Sequence, residues 1–555
     1  MAKKRNRNVL VQAGILAAAS MIVRVIGLLY RAPLTAIIGD EGNGYYGTAY
    51  NIYTIILMVS SYSMPSAISK LMAQKMAVGE YRNARRVFRC ALLYGILVGL
   101  AGSALLYFGA GLLVPDVAVS VLRVFAPTVF LFGILGTMRG YFQARGSMIP
   151  TSISQILEQF ANAVVSILAA WILMHMFAGD DPTRQAQLGA MGSALGTGAG
   201  VFIALAFMLY CFRWDQTEAK KIIASDTTGK KEKYREFFKE TIMVLTPFML
   251  SGVILNLTTS LNQTIYLKVM IHAGHQDATS VTTLYGIFSN KAVVISNIPI
   301  SLATAVSSAI IPGISAAHAK GDMEETRGRV ENAVRATALI SFPSAVGLTL
   351  LAKPITMLMF PQKSSLDLAS SLLALLGVTV ITYSISTITN AALQSIGKMN
   401  LPLVSAGIAL VVQTVLLVVL LLKTDLGITS LVIVSIVYSA MIFVVNQICL
   451  RKFLKIRQNV RLYYLRPLIC SVVMGVAARI LYDFLYKILE PLESVSKGFY
   501  FRNLIALFFA LFDAVLVYAY TLVHSGTLDR ATLENIPGGR KLVPILEKIH
   551  WMPKQ

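Results

Sequence analysis

Charge is scarce in this sequence: Asp, Glu, Lys and Arg make up only 14% of its 555 residues, where a soluble protein carries roughly a quarter. That shortage, with 56% apolar residues, excludes a soluble globular enzyme and equally a disordered or fibrous chain. Cysteine is rare. Cys90, Cys211, Cys449 and Cys470 make no CxxC pair, so neither a disulfide framework nor a thiolate metal site is expected. The six histidines form no HExxH motif and no zinc cluster, and no metal or cofactor is expected. The glycines at 192, 196, 198 and 200 are not followed by the Lys-Ser/Thr of a phosphate loop, so no ATP-driven motor is present and any transport runs on a gradient or downhill. No sizeable polar domain offers the acidic residues of a membrane glycosyltransferase, and the chain reads as a non-enzyme. Asp40-Glu41 is a lone acidic pair, read as a solvated turn.

What is there is a succession of apolar runs. They fall near 10–38, 44–69, 87–113, 118–142, 150–177, 187–212, 241–267, 282–311, 333–360, 367–395, 401–422, 426–450, 466–488 and 501–523. A transmembrane helix needs about 20 such residues. The runs predict an all-α polytopic membrane protein of fourteen spans. The net charge of +22 would suggest nucleic acid in a soluble chain. Here the cations sit in short gaps between spans, so topology and lipid headgroups account for them and no nucleic-acid partner is expected. The first gap has no Lys or Arg and the second has six; the gap at 213–239 has eight, that at 269–281 none, and that at 451–466 six. The alternation predicts both termini in the cytoplasm. The basic N-terminus, Lys3-Lys4-Arg5, imitates a signal peptide, but its apolar run is long and interrupted by Arg24 and Arg31, so it reads as the first span.

The longest polar stretch divides the chain into an N-lobe (1–212, spans 1–6), a cytoplasmic linker (213–240), a C-lobe (241–450, spans 7–12) and a tail region (451–555, spans 13 and 14). The lobes read as repeats. Residues 65–85 align with 307–327 at a constant offset of 242, with six identities including Gly79 with Gly321, while Glu80 meets Asp322. Gly146-Ser-Met-Ile-Pro150 echoes Gly397-Lys-Met-Asn-Leu-Pro402. Six-helix parallel repeats in pseudo-twofold relation place a substrate site between two lobes.

Ionisable groups at bilayer depth cost roughly 3 kcal/mol and mark candidate sites. Arg24 and Arg31 lie seven residues apart in span 1, on nearly one face of a straight helix and about 10 Å apart along its axis. Guanidinium groups grip phosphate bidentately; the alternative is snorkelling to an interface. Lys291 in span 8 is a third cation, a diphosphate ligand or the partner of Glu158 or another acid. Span 5 carries Gln155, Glu158, Gln159 and Asn162 at i, i+3, i+4, i+7, one polar stripe. Asn256 and Gln263 in span 7, Asn290 in span 8 and Asn390 in span 10 add polar faces. Together they line a hydrated cavity or act as interhelical hydrogen-bond glue. Arg479 and Asp513, at similar depth in spans 13 and 14, are expected to form a structural ion pair. Gly192, Gly196 and Gly200 make a smooth face for close helix packing.

Ser20-Met-Ile-Val-Arg24-Val-Ile-Gly27-Leu-Leu-Tyr-Arg31, Ile38-Gly-Asp-Glu-Gly-Asn-Gly-Tyr-Tyr46 and Ser63-Met-Pro-Ser-Ala-Ile-Ser-Lys70 followed by Gly79 resemble the MurJ and SpoVB branch (YtgP type) of the multidrug/oligosaccharidyl-lipid/polysaccharide exporter superfamily. The resemblance covers nearly the whole chain. It implies an alternating-access flippase of a lipid-linked cell-wall precursor in the bacterial cytoplasmic membrane, serving peptidoglycan or polysaccharide assembly or sporulation. The implied substrate is an undecaprenyl-diphosphate saccharide, lipid II foremost. The alternatives are another polyprenyl-linked unit or a drug/cation antiporter. The implied partners are that substrate and membrane lipids, with Na+, H+ or the membrane potential for coupling and a monomer as the working unit. The family's first-helix arginines map to Arg24 and Arg31, with one extra residue between them. Its span 8 cation maps to Lys291 after Asn290, a lysine where the best-known branch has arginine. A family arginine of span 2 has no clear match here. Spans 13 and 14 correspond to the family's groove for the lipid tail.

Overall fold

The computed structural model describes residues 2–58, 60, 64–226, 228, 238, 243, 257–360, 362–398, 400–456, 459–491 and 498–527. Asn256 and the tail after 527 lie outside them. The described residues are helical, with no strand among them. Ten of the helices are long and apolar enough to cross a bilayer, eleven if the first two count as one bent span.

The chain forms two compact units, Met1–Ile287 and Phe288–Gln555. The first contains α1 (Ala2–Leu29), α2 (Arg31–Leu57), α3 (Met64–Ala77), α4 (Tyr81–Phe108), α5 (Asp116–Ala144), α6 (Ile149–Phe177) and α7 (Pro182–Ala224). It also holds a helical stretch at 257–268 and α8 (Ala278–Gly286). A 44° bend separates α1 from α2. Pro33 is its cause: proline has no N–H to offer the carbonyl of Leu29, and its ring crowds that oxygen. At 43 residues, α7 is about 64 Å long at 1.5 Å per residue. That is twice a hydrocarbon core of about 30 Å, so the start of the polar linker is helix standing beyond the membrane.

Small residues set the packing of the first unit. A Cβ added at Gly192 would lie 2.4 Å from Ala170 N, and one at Gly196 would lie 2.1 Å from Ser166 Oγ. A Cβ at Gly200 would lie 2.4 Å from Glu158 O. The glycine face on α7 is therefore what lets α6 lie against it, as the spacing implies. Gly44 and Gly286 play the same part between α2 and α8, where a Cβ on Gly286 would sit 2.4 Å from Gly44 Cα. The segment read as a solvated Asp40-Glu41 turn is more ordered than expected. Gly39, at φ +69°, makes the break, and the chain is helical again from Asp40. Glu41 accepts the Tyr45 hydroxyl, and buried Asn43 donates to Thr35 Oγ1 at 2.9 Å.

The second unit contains α9 (Val293–Ala319), α10 (Met323–Leu350), α11 (Ala352–Met359), α12 (Leu366–Ser395), α13 (Asn400–Lys423), α14 (Thr429–Leu454), α15 (Arg466–Ile488) and α16 (Gly498–His524). A π turn, Ile287–Ala292, leads into α9. The α15–α16 pair is not loosely appended. Asn503 Nδ2 donates to Pro354 O at 3.0 Å and Tyr518 OH to Leu339 O at 3.0 Å. Met474, Tyr482 and Leu507 share a core with Leu351. On α13, by contrast, Val404, Ile408, Val411 and Val415 are all more than half exposed. Such a stripe is stable only where the solvent is lipid.

The repeat seen in the sequence recurs in backbone detail. After α3, Gly79 N–H donates to Met76 O and Glu80 N–H to Lys75 O. After α9, Gly321 N–H donates to His318 O and Asp322 N–H to Ala317 O. Both glycines have left-handed φ, +79° and +76°, which a residue with a Cβ adopts only at a cost. The turns at Gly146 and Gly397 match bond for bond in the same way. Each unit thus ends the corresponding helix with the same device.

Candidate functional site

The polar residues singled out in the first unit lie on α1, α2, α6 and the stretch at 257–268, and Arg139 adds α5. Arg24 is exposed on α1 and Arg31 half-buried at the start of α2. The straight helix that would put them on one face is absent, because the bend at Tyr30 falls between them. Arg31 lies within electrostatic range of Tyr46 and Tyr50. Those rings stack at 5.5 Å, and Tyr53 stacks on Phe125 at 4.7 Å. Together they form an aromatic wall beside the cation.

The stripe on α6 divides by role. Glu158 carries an ion pair: Arg139 Nη2 of α5 stands 2.7 Å from its Oε2, and Arg139 Nε donates to Ser154 Oγ at 2.9 Å. The Arg139 side chain is 6% exposed and that of Glu158 25%. Glu158 is thus held by Arg139, which sequence reasoning missed. The signal was available, since an arginine in the apolar run 118–142 needs an acid on a neighbouring helix. Gln159 faces α1, its Nε2 only 3.1 Å from where a Gly27 Cβ would stand. Gln155 has a buried Oε1 with no hydrogen-bond partner among the described residues. Asn162 is glue, accepting from Ser166 Oγ at 2.9 Å and Thr197 Oγ1 at 3.4 Å.

Gln263 is glue as well. It is 1% exposed, donates to Thr48 O at 2.8 Å and accepts from Asn51 Nδ2 at 2.7 Å. Asn51 also donates to Tyr285 OH at 3.0 Å. Of the charges that the sequence marks at bilayer depth in this unit, Arg24, Arg31 and Arg139 are guanidinium groups and Glu158 is a carboxylate. Guanidinium groups are suited to hold an anion such as phosphate. Among the described residues no group of three metal-ligating side chains occurs.

In the second unit, Lys291 is 1% exposed. Its Nζ donates to Ser365 Oγ at 2.7 Å and Gln362 Oε1 at 3.0 Å, and lies 5.7 Å from the centre of the Phe360 ring. Asn290 sits half-buried beside it in the π turn, a geometry common at functional sites. Asn390 accepts from Asn446 Nδ2 at 2.8 Å, and Asn446 also donates to Thr389 Oγ1 at 3.0 Å, tying α12 to α14.

The expected Arg479–Asp513 pair does not form. Arg479 Nε is 2.9 Å from Asp483 Oδ2 on its own helix, and Asp513 makes no ion pair among the described residues. A carboxylate one turn along the same helix satisfies the guanidinium without any cross-helix geometry.

The profile of the family described as polysaccharide biosynthesis protein matches residues 9–318, and that of the MatE family matches 255–419. The lipid II flippase MurJ of Bacillus subtilis (strain 168) is 26% identical over 429 residues, spanning 72% of this chain and 75% of its own. Stage V sporulation protein B of the same organism is 24% identical over 441 residues, spanning 77% and 82%. A solved structure of lipid II flippase MurJ in an inward closed conformation superposes with a TM-score of 0.63 at 14% identity, covering 91% of this chain and 97% of that one. The resemblance read from the residues thus holds. With ten or more apolar helices, the chain is a multi-pass integral membrane protein of that fold.

Proposed function

This chain belongs to the polysaccharide biosynthesis protein family, and on that footing we propose that it is a flippase. It carries an undecaprenyl-diphosphate saccharide, lipid II in the first instance, from the inner to the outer leaflet of the bacterial cytoplasmic membrane. The observation that carries this reading is that Arg24 and Arg31, two intramembrane arginines, flank the α1–α2 bend, with Arg31 close to the aromatic wall. Arginine keeps its charge at any depth, and its planar fork fits phosphate oxygens. Arg24 and Arg31 take the diphosphate. Arg139 is neutralised by Glu158 and holds the floor of the site in place. The aromatic wall of Tyr46, Tyr50 and Tyr53 and the amides of Gln155 and Gln159 accommodate the saccharide, while the prenyl chain stays in lipid. Lys291, already bound by neutral acceptors, joins as a further cation.

The transport is alternating access between two lobes, 1–212 and 241–450, driven by a Na+ or H+ gradient or by the membrane potential. An exporter of cationic drugs would need an intramembrane carboxylate; Glu158 is committed to Arg139, which leaves Asp513 on α16 to serve that rival reading.

Complementation tests the reading. Wild type, Arg24→Ala and Lys291→Ala are expressed in a bacterium depleted of its own lipid II flippase, with membrane levels checked by blot. Rescue by wild type and failure of Arg24→Ala at equal expression is the expected result. Rescue by Arg24→Ala would remove the diphosphate assignment. No rescue by well-expressed wild type would redirect the reading to a different polyprenyl-linked glycan.

A further inference from the structure

The first unit contains a cavity of about 270 Å³ bounded by α3, α4, α5 and α7. None of its lining residues belongs to α1, α2 or α6, so it is separate from the cluster around Arg24 and Arg31. Its walls divide by chemistry. Met72, Phe88, Leu92 and Ile222 line the apolar part, while Arg85, Arg89 and Arg145 supply cations.

These arginines differ in what already holds them. Arg145 is paired with Asp215, whose carboxylate also accepts the Tyr141 hydroxyl. Arg85 makes a long hydrogen bond of 3.3 Å to the neutral amide oxygen of Gln216. It therefore brings a net positive charge to the cavity wall. The location is informative too. The cationic gap after α3 meets the cationic end of α7 here, where Arg82 N–H donates to Asp226 at 2.8 Å. An excess of Lys and Arg in both segments marks the cytoplasmic side, so the cavity sits at the depth of inner-leaflet headgroups.

An apolar hollow with guanidinium groups at headgroup depth fits a phosphate-bearing amphiphile. We propose that this cavity binds an anionic phospholipid of the cytoplasmic leaflet. Its phosphate lies at Arg85 and Arg89, and the start of an acyl chain lies along Met72, Phe88, Leu92 and Ile222. Inorganic phosphate shares the anionic chemistry but would leave the apolar wall unfilled. A bound lipid would join four helices at the cytoplasmic end of the unit. The inference does not depend on what the protein transports.

The full-length protein, stripped of lipid in detergent, is titrated with phosphatidylglycerol and with phosphatidylcholine of the same acyl chains, and binding is read by native mass spectrometry. Phosphatidylglycerol is expected to bind at least tenfold more tightly. Replacing both Arg85→Gln and Arg89→Gln should remove most of that preference. Ala219→Trp, which fills the hollow while leaving every charge in place, should weaken phosphatidylglycerol binding about as much. Circular dichroism checks that the variants are folded; the arginine pair carries the test if the tryptophan variant is not. Three results would overturn the proposal: equal binding of the two lipids, an unchanged preference in the double arginine variant, or displacement by millimolar inorganic phosphate. Tighter binding of undecaprenyl diphosphate than of phosphatidylglycerol would also overturn it, by making the cavity part of a substrate route.

Discussion

Breaking the Arg139–Glu158 pair gives the sharpest test of the site's construction. The two groups are 2.7 Å apart, and Arg139 is the more deeply buried, at 6% exposure against 25%. Removing one member of a buried pair strands the other, which costs far more than removing both. Glu158→Met strands the deeper charge, leaving Arg139 with the Ser154 hydroxyl, and should cost about 3 kcal/mol. Arg139→Met strands a carboxylate that water reaches, so about 2 kcal/mol is expected. The double variant strands nothing and should cost about 1 kcal/mol, giving a coupling of about 4 kcal/mol. Reversible unfolding by sodium dodecyl sulfate in mixed micelles measures all three. A coupling below about 0.5 kcal/mol would refute the claim that this ion pair organises the floor of the cluster.

Four further outcomes are expected. Gly196→Val should destabilise by about 3 kcal/mol or prevent accumulation, because its Cβ would lie 2.1 Å from Ser166 Oγ; unchanged thermal stability in detergent would contradict the α6–α7 contact. Asn446→Leu removes the donor to Asn390 and Thr389 and should cost about 1 kcal/mol in the same unfolding assay. Asp513→Asn should be silent, while Asp483→Asn should cost about 0.4 kcal/mol, the worth of a half-exposed i,i+4 pair; the reverse order would restore the cross-helix pair. Hydrogen bonds from the Thr228 hydroxyl and from the Arg82 and Thr228 amides hold the Asp226 carboxyl below the usual carboxylate range. Its contribution is therefore complete above about pH 4, the unfolded value, and is lost as pH falls through the lower folded one. The protection factor of the Arg82 amide, its exchange rate corrected for the intrinsic pH dependence, should fall in that acid range and lose this acid dependence in Asp226→Asn.

Much of this fold is legible in the residues because each signal is local. Apolar runs of bilayer length dictate helices, since lipid offers the backbone no other partner. The offset-242 alignment anticipates the paired turns at Gly79 and Gly321, because glycine is the residue that adopts a left-handed conformation at a helix end without a steric cost. Gly192, Gly196 and Gly200 announce a close contact through their spacing alone. Arg24, Arg31 and Glu158 stand out because charge at membrane depth needs a reason.

Partners are a different matter. The sequence determined that Glu158 would seek a cation and Arg479 an anion. Tertiary structure chose Arg139 for the first, and a carboxylate one helical turn away for the second. Tertiary packing also decided which members of a polar stripe became glue: Asn162 meets Thr197 and Gln263 meets Asn51 because α7 and α2 run there, while Gln155 Oε1 meets no partner among the described residues. Even the shared face of Arg24 and Arg31 depended on a bend at Tyr30 that Pro33 imposes. Helical period tells where a side chain points on its own axis. What it meets is decided by the rotation and neighbours of other helices, tens to hundreds of residues away, and only the packed unit specifies those.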